Sequence, residues 1–324
     1  MNLIAYRLPG NAEPVIYEAG RSEKASFEPG EDSFIVSPFD TSLPLRKYTL
    51  TRRLDRIPED IVITNHTKRR CEEAGPEEYR NYIDIIKREI GDDETKKIVA
   101  SRRKTVTFDG NVSTLFNRLC ERYPEAFVFF ISVPEFGSWI GASPELLLEK
   151  KADELVTMSL AGTRQAGSTC KWDEKNLKEQ HIVTRFITRI FEEHGLEPTT
   201  AEDGTAGAGE IEHLRTIIRS KTKKDLDVIS LLRDLAPTPA LSGYPKREAM
   251  EIIRKQEDDR SLYGGFMGPL FASGDFRLNV TLRCAFLSPT SATLFAGGGI
   301  TCYSDAETEW LETEKKLDTI RRIL

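Results

Sequence analysis

The residues best suited to chemistry lie near the C-terminal end of this 324-residue chain, in AGGGITCYSDAETEWLETEKKL from Ala296 to Leu317. A run of small residues, Ala296 to Gly299, follows a strand-like segment, Ala292 to Phe295, and leads into a helix starting near Ser304 and Asp305. On that helix Glu309, Glu312 and Lys316 fall at i, i+3 and i+7, along one face. Trp310, Leu311, Leu317, Ile320 and Leu324 supply a buried side. Glycine amides, carboxylates and an ammonium gathered in one place suit a small dianion held through a metal ion. The same spacing also describes a solvated helix carrying an i,i+4 Glu–Lys pair, so this segment alone leaves both readings open.

Other segments offer single groups with similar ambiguity. Thr95 to Phe108 reads as a strand with basic residues at intervals: lysines that protect an edge from pairing, a nucleic-acid patch, or one lysine turned inward to a site. Ala126 to Lys150 reads as a hairpin of two buried strands in which Glu145 opens a leucine run. A carboxyl in apolar company has its ionised form disfavoured, the condition a general acid requires; a glutamate facing water at a strand end fits the pattern equally. Trp172 to His194 is an amphipathic helix with Leu177, Ile182, Val183, Phe186, Ile187 and Phe191 on its apolar face and Gly195 as its stop. Glu179 lies at the boundary of that face, either on the surface or pointing into a site beside a cation. Asn279 to Leu287 alternates like a half-buried strand around Arg283, which if buried needs an anionic partner such as a carboxylate, and otherwise faces solvent.

Several chemistries are disfavoured by what the chain carries. GTAGAG, from Gly204 to Gly209, is followed by no Lys-Ser/Thr and is no phosphate-binding P-loop. The four histidines, His66, His181, His194 and His213, show no metal or triad spacing, which argues against a zinc enzyme or a Ser-His-Asp hydrolase. The five cysteines are scattered without a CxxC, as expected of reduced thiols in the cytoplasm. A net charge of −6 argues against broad nucleic-acid binding, and any anion site must concentrate positive charge locally. No apolar run reaches the length of a membrane span, and the N-terminus does not read as a signal peptide.

The elements that must position these groups follow from pattern. Ser33 to Val36 and Ile61 to Thr64 read as short strands, and Pro76 to Glu89 as a helix opened by its proline. GDDE, residues 91–94, makes a break. Val156 to Gly167 reads as a strand, and Leu226 to Leu235 and Arg247 to Gln256 as helices. With no repeats and no low-complexity linker, the expectation is one continuous domain over 1–324. Hydrophobic content of 39% with 30% charged residues is ordinary for a globular chain.

Taken together, KIVASR, GASPELLL, LAGTR, EKNLKEQHIV, PTPALSGYP, DRSLYGGFMG, LRCA, AGGGI and EWLETEKKL resemble, in order, the chorismate-utilising enzymes. That family comprises the isochorismate, salicylate, anthranilate and aminodeoxychorismate synthases. The resemblance runs from about Lys97 to the C-terminus and is nearest the isochorismate synthases of menaquinone and siderophore pathways. It implies an α+β fold: a single large domain with a mainly antiparallel β core flanked by helices and the active site in a central cleft. Residues 1–90 would be a variable part of that domain and 91–324 the family core.

The resemblance also implies roles. Lys97 matches the lysine that activates water for attack at C2 of chorismate, and Glu145 the acid that protonates the departing C4 hydroxyl. Glu179 and Glu312 match the carboxylates that hold Mg2+, with Glu309 a nearby or water-mediated partner. Arg283 and Tyr263 match ligands of the enolpyruvyl carboxylate. Gly297 and Gly299 would supply amides, Lys316 further positive charge, and Gly162 a close backbone approach to the ring. A lysine base and a glutamic acid tuned apart by their surroundings would run base and acid chemistry at neutral pH. KIVASR where the ammonia-using branches resemble QVVLSR, Ala161 where the aminodeoxychorismate branch places a lysine, and PTPALSG all favour water as nucleophile. The implied activity is a Mg2+-dependent isochorismate synthase serving menaquinone biosynthesis, with salicylate synthase or a weakened chorismate-binding protein as alternatives. Ala240-Leu241 leans toward stopping at isochorismate. The implied partner is the small-molecule substrate chorismate, with no glutaminase subunit, nucleic acid or membrane, and the chain a monomer or weak homodimer in the cytoplasm. One departure stands out: the family usually places histidine before PTPA, near the reacting ring, and this chain has Ala236.

Overall fold

The computed structural model describes residues 1–61, 63, 74–169, 171–208 and 211–324. The N-terminal part contributes β1 (Asn2–Arg7), β2 (Val15–Lys24), β3 (Ser33–Ser37), β4 (Arg46–Leu54) and helix α1 (Pro76–Ile90). Next come β5 (Lys97–Thr107), α2 (Val112–Arg122), β6 (Phe127–Val133), β7 (Gly137–Ser143), β8 (Leu146–Lys151), β9 (Glu154–Gln165) and α3 (Glu174–Glu193). The chain continues through β10 (Thr199–Ala208), β11 (Ile211–Lys221), α4 (Val228–Leu235), β12 (Gly243–Tyr244) and α5 (Lys246–Gln256). It ends with β13 (Phe266–Leu270), β14 (Phe276–Val280), β15 (Cys284–Leu287), β16 (Ser291–Ile300) and α6 (Ala306–Arg321). The expected strand over Ile61–Thr64 falls across residues 62 and 64, outside the described residues, as do Cys71 and Cys170.

Among the described residues all sixteen strands join one sheet in the order β10-β11-β9-β8-β14-β13-β3-β4-β2-β1-β6-β7-β15-β16-β5-β12. Neighbours pair antiparallel throughout, from β1 with β2 to β16 with β5. The chain forms the expected α+β architecture, a large antiparallel sheet flanked by helices, six of them among the described residues. An aromatic cluster holding Tyr6, Phe34, Phe127, Phe129, Trp139, Tyr263 and Phe295 forms one buried part of the core. Separate apolar clusters seat α1, α3, α4 and α5 on one side, and α2 with the end of α6 on another. No described helix is long and apolar enough to cross a membrane.

The helices start and stop where their sequences direct. Pro76 opens α1 with Glu77 and Glu78 in the first turn, and Gly91 closes it at φ +59°, a left-handed position that favours glycine. Asp173 caps α3 by accepting from Asn176 N, and Asp305 caps α6 by accepting from Thr308 N; each satisfies an otherwise orphaned amide.

Several expectations are corrected. The stretch Ala126–Lys150 forms three strands rather than two. Pro144 lacks the N–H a central ladder needs, so the chain leaves β7 there and β8 begins beside β14. The strand expected over Asn279–Leu287 is two strands, β14 and β15, with Arg283 in the break at φ +46°. On α3 the buried stripe is Glu179, Val183, Ile187 and Phe191, and Leu177 is 42% exposed. On α6 the buried stripe is Glu309, Thr313, Leu317 and Ile320, and Leu311, two residues off it, is 52% exposed. β16 runs on through the glycines to Ile300, pairing Gly297 with Ser101 and Gly299 with Val99.

Candidate active site

Strands from opposite ends of the sheet order face one cavity of about 720 Å³, open mouth included. One wall is Leu160, Ala161 and Gly162 of β9 with His213 of β11; the other is Lys97 and Val99 of β5 with Phe295, Ala296, Gly297 and Gly299 of β16. Glu179 comes from α3, Glu312 and Lys316 from α6, Glu145 and Arg283 from the β7–β8 and β14–β15 connections, and Tyr263 from the connection between α5 and β13. All the residues given a site role by the resemblance except Glu309 line it.

Lys97 is 3% exposed, held between β16 and β12, where Tyr244 pairs with it. Its Nζ lies 3.7 Å from Glu179 Oε1. Gly299 makes this possible: a Cβ there would overlap Lys97 Cε and stand 3.1 Å from Glu179 Oε1. Across α6, one turn apart, Lys316 Nζ lies 2.6 Å from Glu312 Oε1 and donates to Gly297 O at 2.8 Å. The N–H and C=O of one strand residue point the same way, so the Gly297 amide also lies on the edge away from β5.

Glu145 is 3% exposed, following Ser143, whose hydroxyl accepts from its amide. Its carbonyl accepts from Val280 N and Asn279 Nδ2, fixing the backbone at the strand break. Burial pushes its carboxyl up to about 8, against the pull of Lys97 and Arg283. It is therefore largely protonated at neutral pH, while a lysine stands in the same cavity.

Arg283 is buried, and its Nη2 donates to His213 Nε2 at 3.2 Å. Its Nη1 is buried with no hydrogen-bond partner among the described residues. A buried guanidinium with an unmet donor at a polar-lined cavity is suited to an anion. His213 Nδ1 donates to Gly162 O at 2.8 Å. Burial, then the nearby Arg283 and Lys316, push His213 down to about 3, so the ring is neutral and Nε2 is an acceptor. Gly162 itself is at φ +68°, and a Cβ there would stand 2.9 Å from Asn176 Oδ1. Tyr263 stacks on Phe295 at 5.4 Å, and burial drives its hydroxyl up, so it remains a donor at neutral pH.

Glu309 is brought to the same strand but to its other face. Gly298 points opposite to Gly297 and Gly299, and a Cβ on it would stand 2.7 Å from Glu309 Oε2. Glu309 Oε1 accepts from the Ser304 hydroxyl at 2.7 Å. The helical offset explains this: Glu309 shares the buried stripe with Thr313, whereas Glu312 and Lys316 occupy the flank facing the cavity. Among the described residues no group of three or more His, Cys, Asp or Glu side chains gathers into a metal-sized cluster.

His213 is the site residue that sequence reasoning passed over. The β11–β9 register shifts between Glu212 and Leu214, and such a bulge redirects a side chain; no metal or triad spacing marks it. Ala236 is buried at the end of α4, its carbonyl accepting from Lys246 Nζ at 2.7 Å. It is not among the cavity residues; Ala240 and Leu241 form the wall from that turn.

The chain matches the family model described as chorismate binding enzyme over residues 45–324. It is 32% identical to the isochorismate synthase EntC of Escherichia coli over 246 residues, 71% of this chain and 62% of that relative. It therefore spans about three fifths of that relative's length. The vibriobactin-specific isochorismate synthase of Vibrio cholerae is 27% identical over 312 residues, 89% of this chain and 78% of that protein. The structure of MenF, the menaquinone-specific isochorismate synthase from Escherichia coli, superposes with a TM-score of 0.81 at 20% identity, covering 100% of this chain and 89% of that one. At that identity the likeness speaks for the fold. With most of its length matched and its cavity built from the matching motifs, the chain belongs to the chorismate binding enzyme family.

Proposed function

We propose that the chain is an isochorismate synthase, exchanging the C4 hydroxyl of chorismate for a new hydroxyl at C2 taken from water, in the service of menaquinone biosynthesis. The observation that carries this is a carboxyl kept protonated by burial, Glu145, sharing one cavity with the buried Lys97. The family match and the isochorismate synthases among the relatives support the same reading.

In this reading Lys97 takes a proton from water as the water oxygen bonds to C2. Both ring double bonds shift in concert, from C1=C2 to C1=C6 and from C5=C6 to C4=C5, the C4–O bond breaks, and Glu145 protonates the leaving hydroxyl. Water enters at C2 and water leaves at C4, and a proton passing from Lys97 back to Glu145 resets the pair. Arg283 and Tyr263 hold the enolpyruvyl carboxylate; Lys316 and the amides of Gly297 and Gly299 face the ring carboxylate. The positive φ at Gly162 lets the β9 backbone approach the ring.

Mg2+ suits the donor set: Glu179 and Glu312 present hard carboxylate oxygens from two helices to the same cavity, and Mg2+ retains water and substrate oxygens as its remaining ligands. Bound there it would supply positive charge to the ring carboxylate of a dianion in an acidic protein. Glu309, on the other face of the glycine strand and off the cavity, would act only as a more distant partner.

Incubation with chorismate, with and without Mg2+, followed by chromatography of the products, tests the reading. Isochorismate without pyruvate, formed only with the metal, is expected. Salicylate with pyruvate would move the chain to the lyase branch, and chorismate binding without turnover would make it a binding protein.

A further inference from the structure

Behind the cavity, touching none of its space, lies a buried ion pair. Arg260 is 1% exposed. Its Nε and Nη2 each donate to Glu257 at 2.6 Å. Its remaining reach is spent on backbone: Nη1 donates to Leu241 O at 2.8 Å and Nη2 to Val99 O at 2.7 Å. Phe39 covers the guanidinium at 4.4 Å. Glu257 in turn accepts from Ser101 N at 2.9 Å, from the Ser101 hydroxyl, and from the Tyr82 hydroxyl at 2.7 Å. Tyr263 N donates to Arg260 O at 3.0 Å.

The carbonyls held by Arg260 are those of two cavity-wall residues, and Tyr263 is a third wall residue. Val99 lies two positions from Lys97 on the same face of β5. A buried ion pair is weak evidence for stability, because desolvating both charges offsets their attraction. Its geometry here is instead that of a joint: one planar fork reaches a carboxylate, strand β5 at Val99 and the turn at Leu241 at fixed angles, which a lysine cannot reproduce. We propose that Glu257 and Arg260 are positioning residues that fix the Lys97 strand, the Leu241 turn and Tyr263 relative to one another for the reaction. This rests on the isochorismate synthase reading for its kinetic arm only.

The test compares the full chain with Arg260→Lys and Tyr82→Phe, measuring turnover of chorismate with Mg2+ per folded molecule, thermal unfolding, and hydrogen exchange resolved by residue. Arg260→Lys keeps the charge and loses the simultaneous reach to Leu241 and Val99. It is expected to lower kcat by roughly a hundredfold, the scale of an ångström misplacement, with a much smaller change in KM. Exchange should rise at Val99, whose amide donates to Ser242 O, and at Leu241, while the β1–β6 ladder is unchanged. Tyr82→Phe, which removes one hydrogen bond from outside the cavity, should show the same pattern at several-fold size, and it decides the matter should Arg260→Lys not fold. A lowered melting temperature with wild-type kcat and a general rise in exchange would overturn the proposal and leave the pair a stability element. Should the wild-type chain not turn over chorismate, the functional reading fails separately. The exchange pattern then decides alone: a rise confined to Val99 and Leu241 upholds the joint, and none overturns it.

Discussion

Glu145→Gln should make the protein more stable and nearly inactive. Burial lifts the Glu145 carboxyl from its ordinary 4.5 to about 8. Between those values the folded chain retains a proton that the unfolded chain has released. Stability therefore falls as pH rises through that window, by about 1.4 kcal/mol per pH unit. At pH 7 the accumulated cost is about 3 kcal/mol, on the order-of-magnitude scale such a shift supports. Glutamine has nearly the same shape and no charge to lose. The variant should therefore exceed wild type by about 3 kcal/mol at pH 7, with the difference vanishing below pH 4.5. His213, pushed down to about 3, acts with the opposite sign: its contribution is lost as pH falls below its ordinary 6.5. It is present in both chains and cancels in the comparison. Loss of a general acid should lower kcat by roughly 10²–10⁴. Urea unfolding at pH 4.5 and pH 7, with turnover on the same samples, reads both effects. Equal stability of the two chains at pH 7, or wild-type kcat in the variant, would refute the argument that a buried, protonated Glu145 is the acid.

Other perturbations test the remaining groups. Lys97→Ala should abolish turnover while leaving Mg2+-dependent chorismate binding by calorimetry largely intact; undiminished turnover would remove it as the base. Glu312→Gln should weaken magnesium and chorismate binding together, and a normal magnesium titration would rule out its ligand role. Gly299→Ala forces a methyl onto Lys97 Cε, so a destabilisation of about 1–3 kcal/mol is expected from overpacking, with kcat reduced about a hundredfold by displacement of the amine. A variant with wild-type kinetics would show that the lysine does not depend on that gap.

Much of this architecture is legible in the chain, and the illegible parts share a cause. The helix caps Asp173 and Asp305, the proline at the start of α1 and the glycine after it are local signals with local effects. So is the glycine run of β16, although its continuation as a strand depends on β5 running alongside. The breaks at Pro144–Glu145 and at Arg283 are decided by which strand accepts each backbone segment, a choice made across the sheet. Those two breaks place Glu145 and Arg283 at the cavity, so the groups proposed for the chemistry sit where periodicity fails. The same holds for α3 and α6: the apolar pattern is interrupted by Glu179 and Glu309, and the helices bury carboxylates where Leu177 and Leu311 had the better hydrophobic claim. His213 and the Glu257–Arg260 joint carry no spacing signal, because their partners, Gly162, Arg283, Val99 and Leu241, come from distant parts of the chain.

The central claim is that water, activated in this cavity, supplies the new hydroxyl. Running the reaction in water labelled with heavy oxygen and locating the isotope in the product by mass spectrometry and NMR tests it most directly. The account predicts one labelled oxygen at C2 of isochorismate, with the original C4 oxygen lost to solvent. Isochorismate formed without label, its C2 hydroxyl carrying the substrate's own oxygen, would contradict the roles given to Lys97 and Glu145.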